Sequence, residues 1–349
     1  MWFMVLTWCF AVASNAVALD VLLSDQRARD YQNVHFSPDG RFVVASCLVP
    51  RREGRAIAIW EVASGDLLQW IGNTTKEIPG GVADWDFCPP NHLVAVSPDS
   101  STIFLIQHGF VDRKDAWKLV ARLRRRIDPR NRLVGMDAVA CSADGKQIAC
   151  TSASTYRPGF TAKAGAIEIW DVAQQRIAAM IQSPDQYPDD FNFIGEEFVF
   201  RCSSGIVRAS MESDVLAARK DESFGTSTPG FSTLAVSPSQ RQIVVGGKGF
   251  IAILDAQNLD TLKKIALPAG EVPEVIRYTP DGKWLVEGEA TQFVRVRNAV
   301  TGEIVGQREL SRIASLDVSP DGETIAVTEW SMMKGVQLWK LKDLIDEAE

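Results

Sequence analysis

The sequence is poor in the residues and motifs that catalytic and metal chemistry require. The chain has only three histidines, and none of them has metal-ligand spacing to another: His35, His92 and His108. A C-x-x-C pair and the G-x-S-x-G, H-E-x-x-H and Walker motifs are absent. Residues 247–252 fit a G-x-G-x-x-A pattern, but they join two predicted strands and do not open a helix, which a dinucleotide site needs. We therefore predict no metal site, no cofactor and no catalytic residue.

Cysteine is also scarce. The six cysteines are Cys9, Cys47, Cys88, Cys141, Cys150 and Cys202. Five remain if an N-terminal leader is removed, and an odd number argues against a complete disulfide framework. Cys141 and Cys150 flank one tight turn on adjacent predicted strands, so they could pair in an oxidising compartment. The alternative, which we expect, is that they are small apolar residues buried in the core.

Long apolar runs are absent after residue 18, so no later segment is predicted to span a membrane. Residues 1–18 form an apolar run that ends with Ala16 and Ala18 in the A-x-A spacing that signal peptidase reads. No Lys or Arg precedes the run, so its only positive charge is the amino terminus. We predict a signal peptide over 1–18 and an exported protein, periplasmic or secreted. The alternative is a mis-assigned start or a buried strand in a cytoplasmic protein.

Charge is modest overall and unevenly distributed. The formal net charge is −7, with +1 on residues 1–140 and −8 on residues 141–349. The chain is 46% hydrophobic and contains 10 Trp, which is enough apolar material to bury a core and excludes a disordered protein. The first part of the chain is therefore the relatively basic part of an acidic globular protein.

A four-residue turn recurs along the chain in the form S-P-D-G or a variant of it. In this turn the Ser side chain can accept a hydrogen bond from a nearby backbone amide, and Pro fixes φ at the second position. Asp is compatible with the backbone conformation of the third position, and Gly ends the turn. The turns lie at residues 37–40, 88–91, 142–145, 194–197, 237–240, 279–282 and 319–322. Their starts are 40 to 54 residues apart, and a period of this size indicates a repeat architecture.

Each turn precedes the same pattern of short strands. An apolar strand follows the turn, then a variable gap, then a third strand rich in β-branched residues and often ending in Trp. The predicted third strands are 56–62, 102–107, 166–172, 205–210, 250–256, 292–298 and 336–342. A fourth strand follows a polar turn in most units. Four short strands per unit predict antiparallel sheets and an all-β fold.

The combination of S-P-D-G, an apolar strand and I-W-[E/D]-V resembles the WD-repeat β-propellers. Trp60-Glu61 and Trp170-Asp171 stand where the WD dipeptide of that family falls, and the resemblance covers residues 19–342. No repeat has the Gly-His pair that opens a typical unit, and three histidines are too few for the Asp-His-Ser-Trp hydrogen-bond set of the family. The resemblance implies a seven-bladed β-propeller with four antiparallel strands per blade, and no particular functional subfamily.

This reading makes residues 19–349 a single propeller domain. Its blades are expected near 31–72, 83–124, 137–181, 191–220, 231–267, 274–310 and 313–342. Three strands are predicted for repeat 7, and the acidic residues 343–349 that follow them are poorly suited to form a fourth strand at the edge of the sheet. Residues 19–24 have no partners of their own, so we predict that they supply the outer strand of blade 7 and close the ring.

The candidate binding surface is a set of basic loops on blades 1 to 3. Loops between second and third strands and loops between blades share one face of a propeller, and the long loops 48–55, 124–135 and 152–165 belong to this set. Their candidate binding residues are Arg51, Arg52, Arg55, Arg124, Arg125, Arg126, Arg130, Arg132, Tyr156, Arg157, Phe160 and Lys163. We predict a non-catalytic scaffold that binds a protein partner, acidic or phosphorylated, through this face.

Two alternatives to this function stay open. The arginines could be solvated loop residues that pair with neighbouring acids such as Asp128, or the protein could be a secreted, lactonase-like hydrolase with a site in the central channel. Nucleic acid is not expected, since the net charge is negative and aromatic residues are sparse among the basic ones.

Overall fold

The computed structural model forms a ring of seven four-stranded antiparallel sheets, the blades of a β-propeller. The structure describes residues 21–25, 28–49, 55–72, 78, 80–98, 101–111, 114–124, 138–152, 166–182, 189–202, 205–210, 217–220, 234–268, 271–289, 293–330 and 335–346. The predicted leader, residues 1–18, lies outside this part of the chain. The all-β, seven-bladed prediction is confirmed.

Strands β2 to β13 form the first three blades. Blade 1 consists of β2 (Arg29–Phe36), β3 (Phe42–Leu48), β4 (Arg55–Glu61) and β5 (Leu67–Ile71). Blade 2 consists of β6 (Asp84–Cys88), β7 (His92–Val96), β8 (Thr102–Val111) and β9 (Lys114–Arg124). Blade 3 consists of β10 (Val139–Cys141), β11 (Gln147–Ser152), β12 (Ala166–Asp171) and β13 (Arg176–Gln182).

Strands β14 to β28, together with β1, form the other four blades. Blade 4 consists of β14 (Asp189–Ile194), β15 (Glu197–Cys202), β16 (Gly205–Ser210) and β17 (Ala217–Lys220), and blade 5 of β18 (Leu234–Val236), β19 (Gln242–Gly247), β20 (Phe250–Asp255) and β21 (Thr261–Ala266). Blade 6 consists of β22 (Pro273–Tyr278), β23 (Trp284–Glu289), β24 (Phe293–Asn298) and β25 (Ile304–Glu309), and blade 7 of β26 (Ile313–Val318), β27 (Thr324–Glu329), β28 (Val336–Lys340) and β1 (Val21–Leu23). A short helix, α1 (Leu341–Asp346), follows β28.

The first strand of each blade lies at the centre of the ring. Each first strand contacts the first strands of the two neighbouring blades, in the unbroken order β2, β6, β10, β14, β18, β22, β26 and back to β2. The other strands of each blade extend outward from this inner circle in sequence order. First strands therefore line the central channel, and fourth strands form the rim.

The turns that recur in the sequence share one hydrogen-bond network. The Ser37 hydroxyl donates to Asp39 Oδ1 (2.6 Å) and accepts from the backbone amide of Phe42 (2.9 Å). Ser142, Thr279 and Ser319 make the same two bonds, and Ser237 pairs with Ser239 and the amide of Gln242. Gly40 adopts φ +72° at the fourth position, where a side chain would be strained. One hydroxyl thus links the turn to the following strand in five of the seven blades.

The core consists of seven apolar clusters, one at each interface between neighbouring blades. The cluster between blades 1 and 2, for example, contains Phe42, Ile57 and Ile59 from one sheet and Trp85 and Leu93 from the other. Each sheet is therefore buried on both of its faces. This explains why strands such as β3 and β19 read as continuous apolar runs and do not alternate.

The ring closes where the sequence predicted. β1 pairs antiparallel with β28, with Val21 opposite Leu338 and Leu23 opposite Val336, so it is the outer strand of blade 7. The Leu23 side chain is 2% exposed and packs in the cluster between blades 7 and 1. Gly335 lies against the backbone of this strand: a Cβ atom at position 335 would be 1.8 Å from the Leu23 carbonyl oxygen.

The end of blade 7 differs from the prediction. The third strand was expected over 336–342, but β28 ends at Lys340 and α1 begins at Leu341. Leu341 and Leu344 are buried in the cluster between blades 6 and 7. The helix contacts β25, where the absence of a side chain at Gly306 admits the Leu344 carbonyl group. Helical geometry places these two leucines on the same side, which an extended strand would not do.

The cysteines also differ from the prediction. Cys141 forms a disulfide with Cys88, with the two Cα atoms 5.1 Å apart, and so joins the first strands of blades 2 and 3. Our expectation for Cys141 was therefore wrong, and so was the alternative pairing with Cys150. In the β10–β11 pair Cys141 lies opposite Ile148, while Cys150 lies opposite Val139 and is buried outside the disulfide, as expected.

No helix in the described part of the chain is long and apolar enough to cross a membrane. The one helix assigned there, α1, has six residues.

The contact at Gly335 gives a test of ring closure. We expect Gly335→Ala to lower the free energy of unfolding by ~1–3 kcal/mol, because its Cβ would displace the backbone of β1 from β28. Urea unfolding measures the change. Gly109→Ala is the matched control, since a Cβ at this strand position meets no atom within 4 Å and the variant should change stability little. Wild-type stability in Gly335→Ala would contradict the β1–β28 pairing.

Candidate functional site

The predicted binding loops begin and end on one face of the ring. We call this the loop face: it is the face where first and third strands begin and where second and fourth strands end. The turns at residues 37–40 and its equivalents lie on the opposite face, the corner face. The three basic loops are bounded by Leu48 and Arg55, by Arg124 and Val139, and by Ser152 and Ala166, all of which are strand ends on the loop face. Since blades 1, 2 and 3 are consecutive, the three loops leave neighbouring positions of the ring.

Two of the twelve predicted binding residues lie in the described part of the chain. Arg55 begins β4, and its guanidinium binds Asp30 twice: Nη2 to Oδ2 at 3.0 Å and Nη1 to the backbone oxygen at 3.0 Å. Both side chains are about one-fifth exposed. Arg55 therefore ties the third strand of blade 1 to the first, and its charge is largely occupied. Arg124 is exposed at the end of β9, opposite Thr102.

The remaining ten lie outside the described residues. They are Arg51, Arg52, Arg125, Arg126, Arg130, Arg132, Tyr156, Arg157, Phe160 and Lys163. The structure thus gives the anchor positions of the basic loops and not the arrangement of their side chains.

A second cluster of charged residues lines the central channel, and the sequence did not indicate it. His35, Asp86, Arg277 and Asp317 lie on the first strands of blades 1, 2, 6 and 7. His35 Nδ1 is 3.7 Å from Asp317 Oδ2, and Arg277 Nε is 3.7 Å from Asp317 Oδ1. The His35 and Trp85 rings are nearly perpendicular, at 86°, with their centroids 5.2 Å apart. These residues are distant in sequence and meet only because the ring brings their strands together.

The channel carboxylates hold neighbouring blades together. Asp84 accepts from the backbone amide of Val139 (2.9 Å), and Asp86 accepts from that of Cys141 (3.0 Å), so both link blade 2 to blade 3. Asp317 links blade 7 to blade 1 through the amide of Phe36 (2.8 Å), and Asp190 links blade 4 to blade 5 through that of Leu234 (2.7 Å). The inner strands have no further strand on their channel side, so these acids satisfy amides that no ladder bond reaches.

Burial changes the protonation of two of these acids. Burial in the narrow channel raises the pKa of Asp84 to about 7, although the Val139 amide opposes this change. Burial also raises the pKa of Asp86, against the nearby charges of His35 and Arg277. An acid that titrates near neutral pH can serve as a proton donor or acceptor, so the channel is the place where catalysis would be sought. No group of three or more His, Cys, Asp or Glu side chains suited to a metal ion occurs within the described ranges.

The other two histidines share a groove between blades 1 and 2 on the corner face. The groove encloses about 290 Å³ of space that is open to solvent, and it is lined by residues that include Asp39, His92, His108 and Trp117. The His108 ring lies between those of Phe42 and Trp117, with centroid distances of 4.8 and 4.9 Å. Burial lowers the pKa of His92, so its imidazole is neutral at neutral pH. In the sequence these histidines appear unrelated, but the β7–β8 hairpin brings them together.

No model of a known protein family matches the chain, and no curated protein is significantly similar to it. The assignment of a seven-bladed β-propeller therefore depends on the strand topology described above.

The raised pKa of Asp84 predicts a pH dependence of stability. The folded-state value of about 7 exceeds the ordinary value of 3.8, so the folded protein binds the extra proton in this window and loses stability as the pH rises from about 4 to about 7. The contribution should amount to a few kcal/mol, at ~1.4 kcal/mol per pKa unit. Asp84→Asn cannot ionise, and urea unfolding at a series of pH values should show a flatter profile than that of the wild type.

Asp144→Asn is the contrasting control for this experiment. Its hydrogen bond and ion pair with Lys146 lower the pKa of Asp144 to about 2, so its contribution is present above about pH 4 and is lost as the pH falls towards 2. This variant should keep the wild-type slope between pH 4 and 7. An unchanged slope in Asp84→Asn would contradict the assignment of the raised pKa to Asp84.

Proposed function

We propose that this chain is a non-catalytic, WD-repeat-like scaffold whose loop face across blades 1 to 3 binds an acidic or phosphorylated protein partner. The observation that carries this proposal is the position of the loop anchors. The strand ends at Arg55, Arg124 and Ala166 lie on one face of three consecutive blades, and the Arg-rich segments are connected to these ends in the sequence, which supports the proposal. Long loops on a rigid β framework are the usual location of binding residues.

The charge distribution supports an anionic partner. The chain carries a formal charge of −7, yet ten Arg and Lys residues belong to the three loop segments. A local basic patch on an acidic protein attracts a complementary anionic surface and repels basic ones. Of the two described arginines, Arg124 is exposed and available to a partner, whereas Arg55 is already paired with Asp30.

The positions of the tryptophans support a WD-repeat-like protein, but the hydrogen bonds of their indole nitrogens do not match those of the family. Trp60 and Trp339 are buried in the third strands of blades 1 and 7, and Trp170 in that of blade 3. Trp170 Nε1 donates to Glu168, but the indole nitrogens of Trp60 and Trp339 have no acceptor among the described residues. The resemblance to the family therefore lies in the positions of the tryptophans on the third strands and does not extend to the hydrogen-bond set of the family.

The non-catalytic part of the proposal is supported by the bonding of the channel acids. Asp84, Asp86, Asp190 and Asp317 each accept a backbone amide from the next blade, so their carboxylates already have a structural role. The alternative is a channel hydrolase, which the raised pKa of Asp84 favours. A screen of lactones and esters, with and without divalent metal ions, separates the two. Turnover that survives replacement of the loop arginines would favour the hydrolase.

We also propose that the protein is exported after removal of residues 1–18. The disulfide between Cys88 and Cys141 supports an oxidising compartment. Cleavage after Ala18 would leave β1, which begins at Val21, intact for ring closure.

Charge reversal tests the binding surface. Changing Arg124, Arg125 and Arg126 to Glu should reduce partner capture from an extract of the native host by roughly tenfold or more, because like charges then face the anionic partner. Quantitative mass spectrometry of the captured proteins measures the loss. Lys146, Arg176 and Lys283 changed to Glu form the control, since these exposed cations lie on the corner face. Equal capture by both variants would remove the loop face from consideration.

The leader is tested by determining the N-terminal residue of protein purified from the native host. Export predicts a chain that begins at Leu19 or Val17. A chain that begins at Met1 would indicate a cytoplasmic protein.

A further inference from the structure

An exposed tryptophan stands on the loop face of blade 7, the neighbour of blade 1. Trp330 directly follows β27 and is 38% exposed. The other large exposed apolar side chains of the described residues lie on fourth strands or, for Val300, on the turn before one. Rim positions of this kind are scattered around the ring and need no explanation. Trp330 differs because it is aromatic and lies on the face to which we assign the partner.

The backbone at Trp330 is held by hydrogen bonds to neighbouring segments. Its backbone amide donates to the Arg312 carbonyl oxygen at 2.9 Å. The preceding Glu329 is buried, and its two carboxylate oxygens accept from Ser311 and from the Gln337 amide. These bonds tie the end of β27 to the residues just before β26 and to β28. A rigid exposed aromatic side chain loses little conformational entropy when it binds, and such residues dominate many interfaces.

A cation accompanies the indole. The guanidinium carbon of Arg312 is 5.4 Å from the centroid of the Trp330 ring, within the range of a cation–π interaction. The Arg312 side chain is 53% exposed, and its Nη2 atom is 3.8 Å from the Oε1 atom of Glu274, which is buried below it. Glu274 thus anchors one side of the guanidinium and leaves the other side in solvent. The pair offers an aromatic surface and a positive charge next to each other.

We infer that Arg312 and Trp330 form a second contact point for the same partner, and that this partner is an acidic peptide segment with an aromatic side chain among its acids. The inference rests on the proposed function. Arg312 would take the acidic residues of this segment, and Trp330 would pack against its aromatic ring. Phosphate and a base could make similar contacts, but the net charge of −7 favours a peptide over a nucleic acid.

Two fluorescein-labelled peptides of equal length and charge test the inference. Both consist of glutamates around one central residue, which is Phe in the first peptide and Ala in the second. Fluorescence anisotropy should show that the wild-type chain binds the Phe peptide roughly 2- to 10-fold more tightly, as expected for one aromatic pair. Trp330→Ala should remove this preference and leave the affinity for the Ala peptide unchanged. Arg312→Gln should weaken the binding of both peptides.

Two further variants provide the controls. Trp330→Phe should retain the preference, because it keeps an aromatic ring, and Val300→Ala should retain it because Val300 lies on the corner face. Thermal unfolding of Trp330→Ala should remain a single cooperative transition, which checks that the variant is folded when its binding is measured.

The outcomes separate the inference from the proposed function. If the wild type binds both acidic peptides without a Phe preference, or if Trp330→Ala keeps that preference, the second contact point is wrong and the basic loop face stands. If the wild type binds neither peptide, both proposals are wrong. If labelled oligothymidylate binds more tightly than the peptides and its binding depends on Trp330, the peptide assignment is overturned.

Discussion

The structure depends on apolar contact between neighbouring sheets. A blade such as β2–β5 has apolar side chains on both faces, and each face is covered by the adjacent blade. Full burial of one Val, Leu, Ile or Phe side chain contributes ~1.5–3 kcal/mol, and the loss of any blade would expose two such faces at once. The ring is therefore stable only when it is complete. The β1–β28 pairing is needed for this, because it completes blade 7, whose faces cover those of blades 6 and 1.

This constraint divides the molecule into parts that can vary and parts that cannot. On the corner face, the hydroxyl of Ser37 and its equivalents binds both the turn and the following strand, which keeps the turn short. In the channel, Asp84 and Asp317 are committed to amides of the next blade. The connections of the loop face begin and end at strands that are already held by the interface clusters. Added length and charge are accommodated there, as the segments after Leu48, Arg124 and Ser152 illustrate.

The sequence predicted the features that local chemistry determines. The turn at 37–40 and its repeats, the apolar strands behind them and the seven-bladed ring all follow from short motifs, and the unpartnered residues 19–24 predicted the closing strand. Features that depend on contacts between blades were missed. The Cys88–Cys141 disulfide joins strands 53 residues apart, and α1 exists because two leucines fit between blades 6 and 7. Arg295 and Arg297 lie in a predicted strand, yet their buried ion pairs with Glu289 and Glu287 are not readable from its pattern.

The sequence predicted on which blades the candidate loops are anchored. It did not predict the ion pairs, buried acids and exposed aromatic residue nearby. Sequence alone grouped Arg55 with the binding residues, because its ion pair with Asp30, 25 residues earlier on another strand, has no local signature. The channel acids were missed because inward orientation depends on strand register, and the register of the short first strands is not readable from their sequence pattern. Trp330 carried no signal, since exposure is a property of the assembled ring.

The position of β1 also governs the order in which the chain can fold. β1 precedes the other described strands, but Leu338, the partner of its residue Val21, lies 317 residues further along the chain, so blade 7 cannot form until β28 has been made. Until then the first blade has one uncovered face and the nascent chain carries an apolar segment without a partner. The last step in the assembly of this propeller therefore joins two segments from distant parts of the sequence, and the two open ends of the arc are covered only in that step.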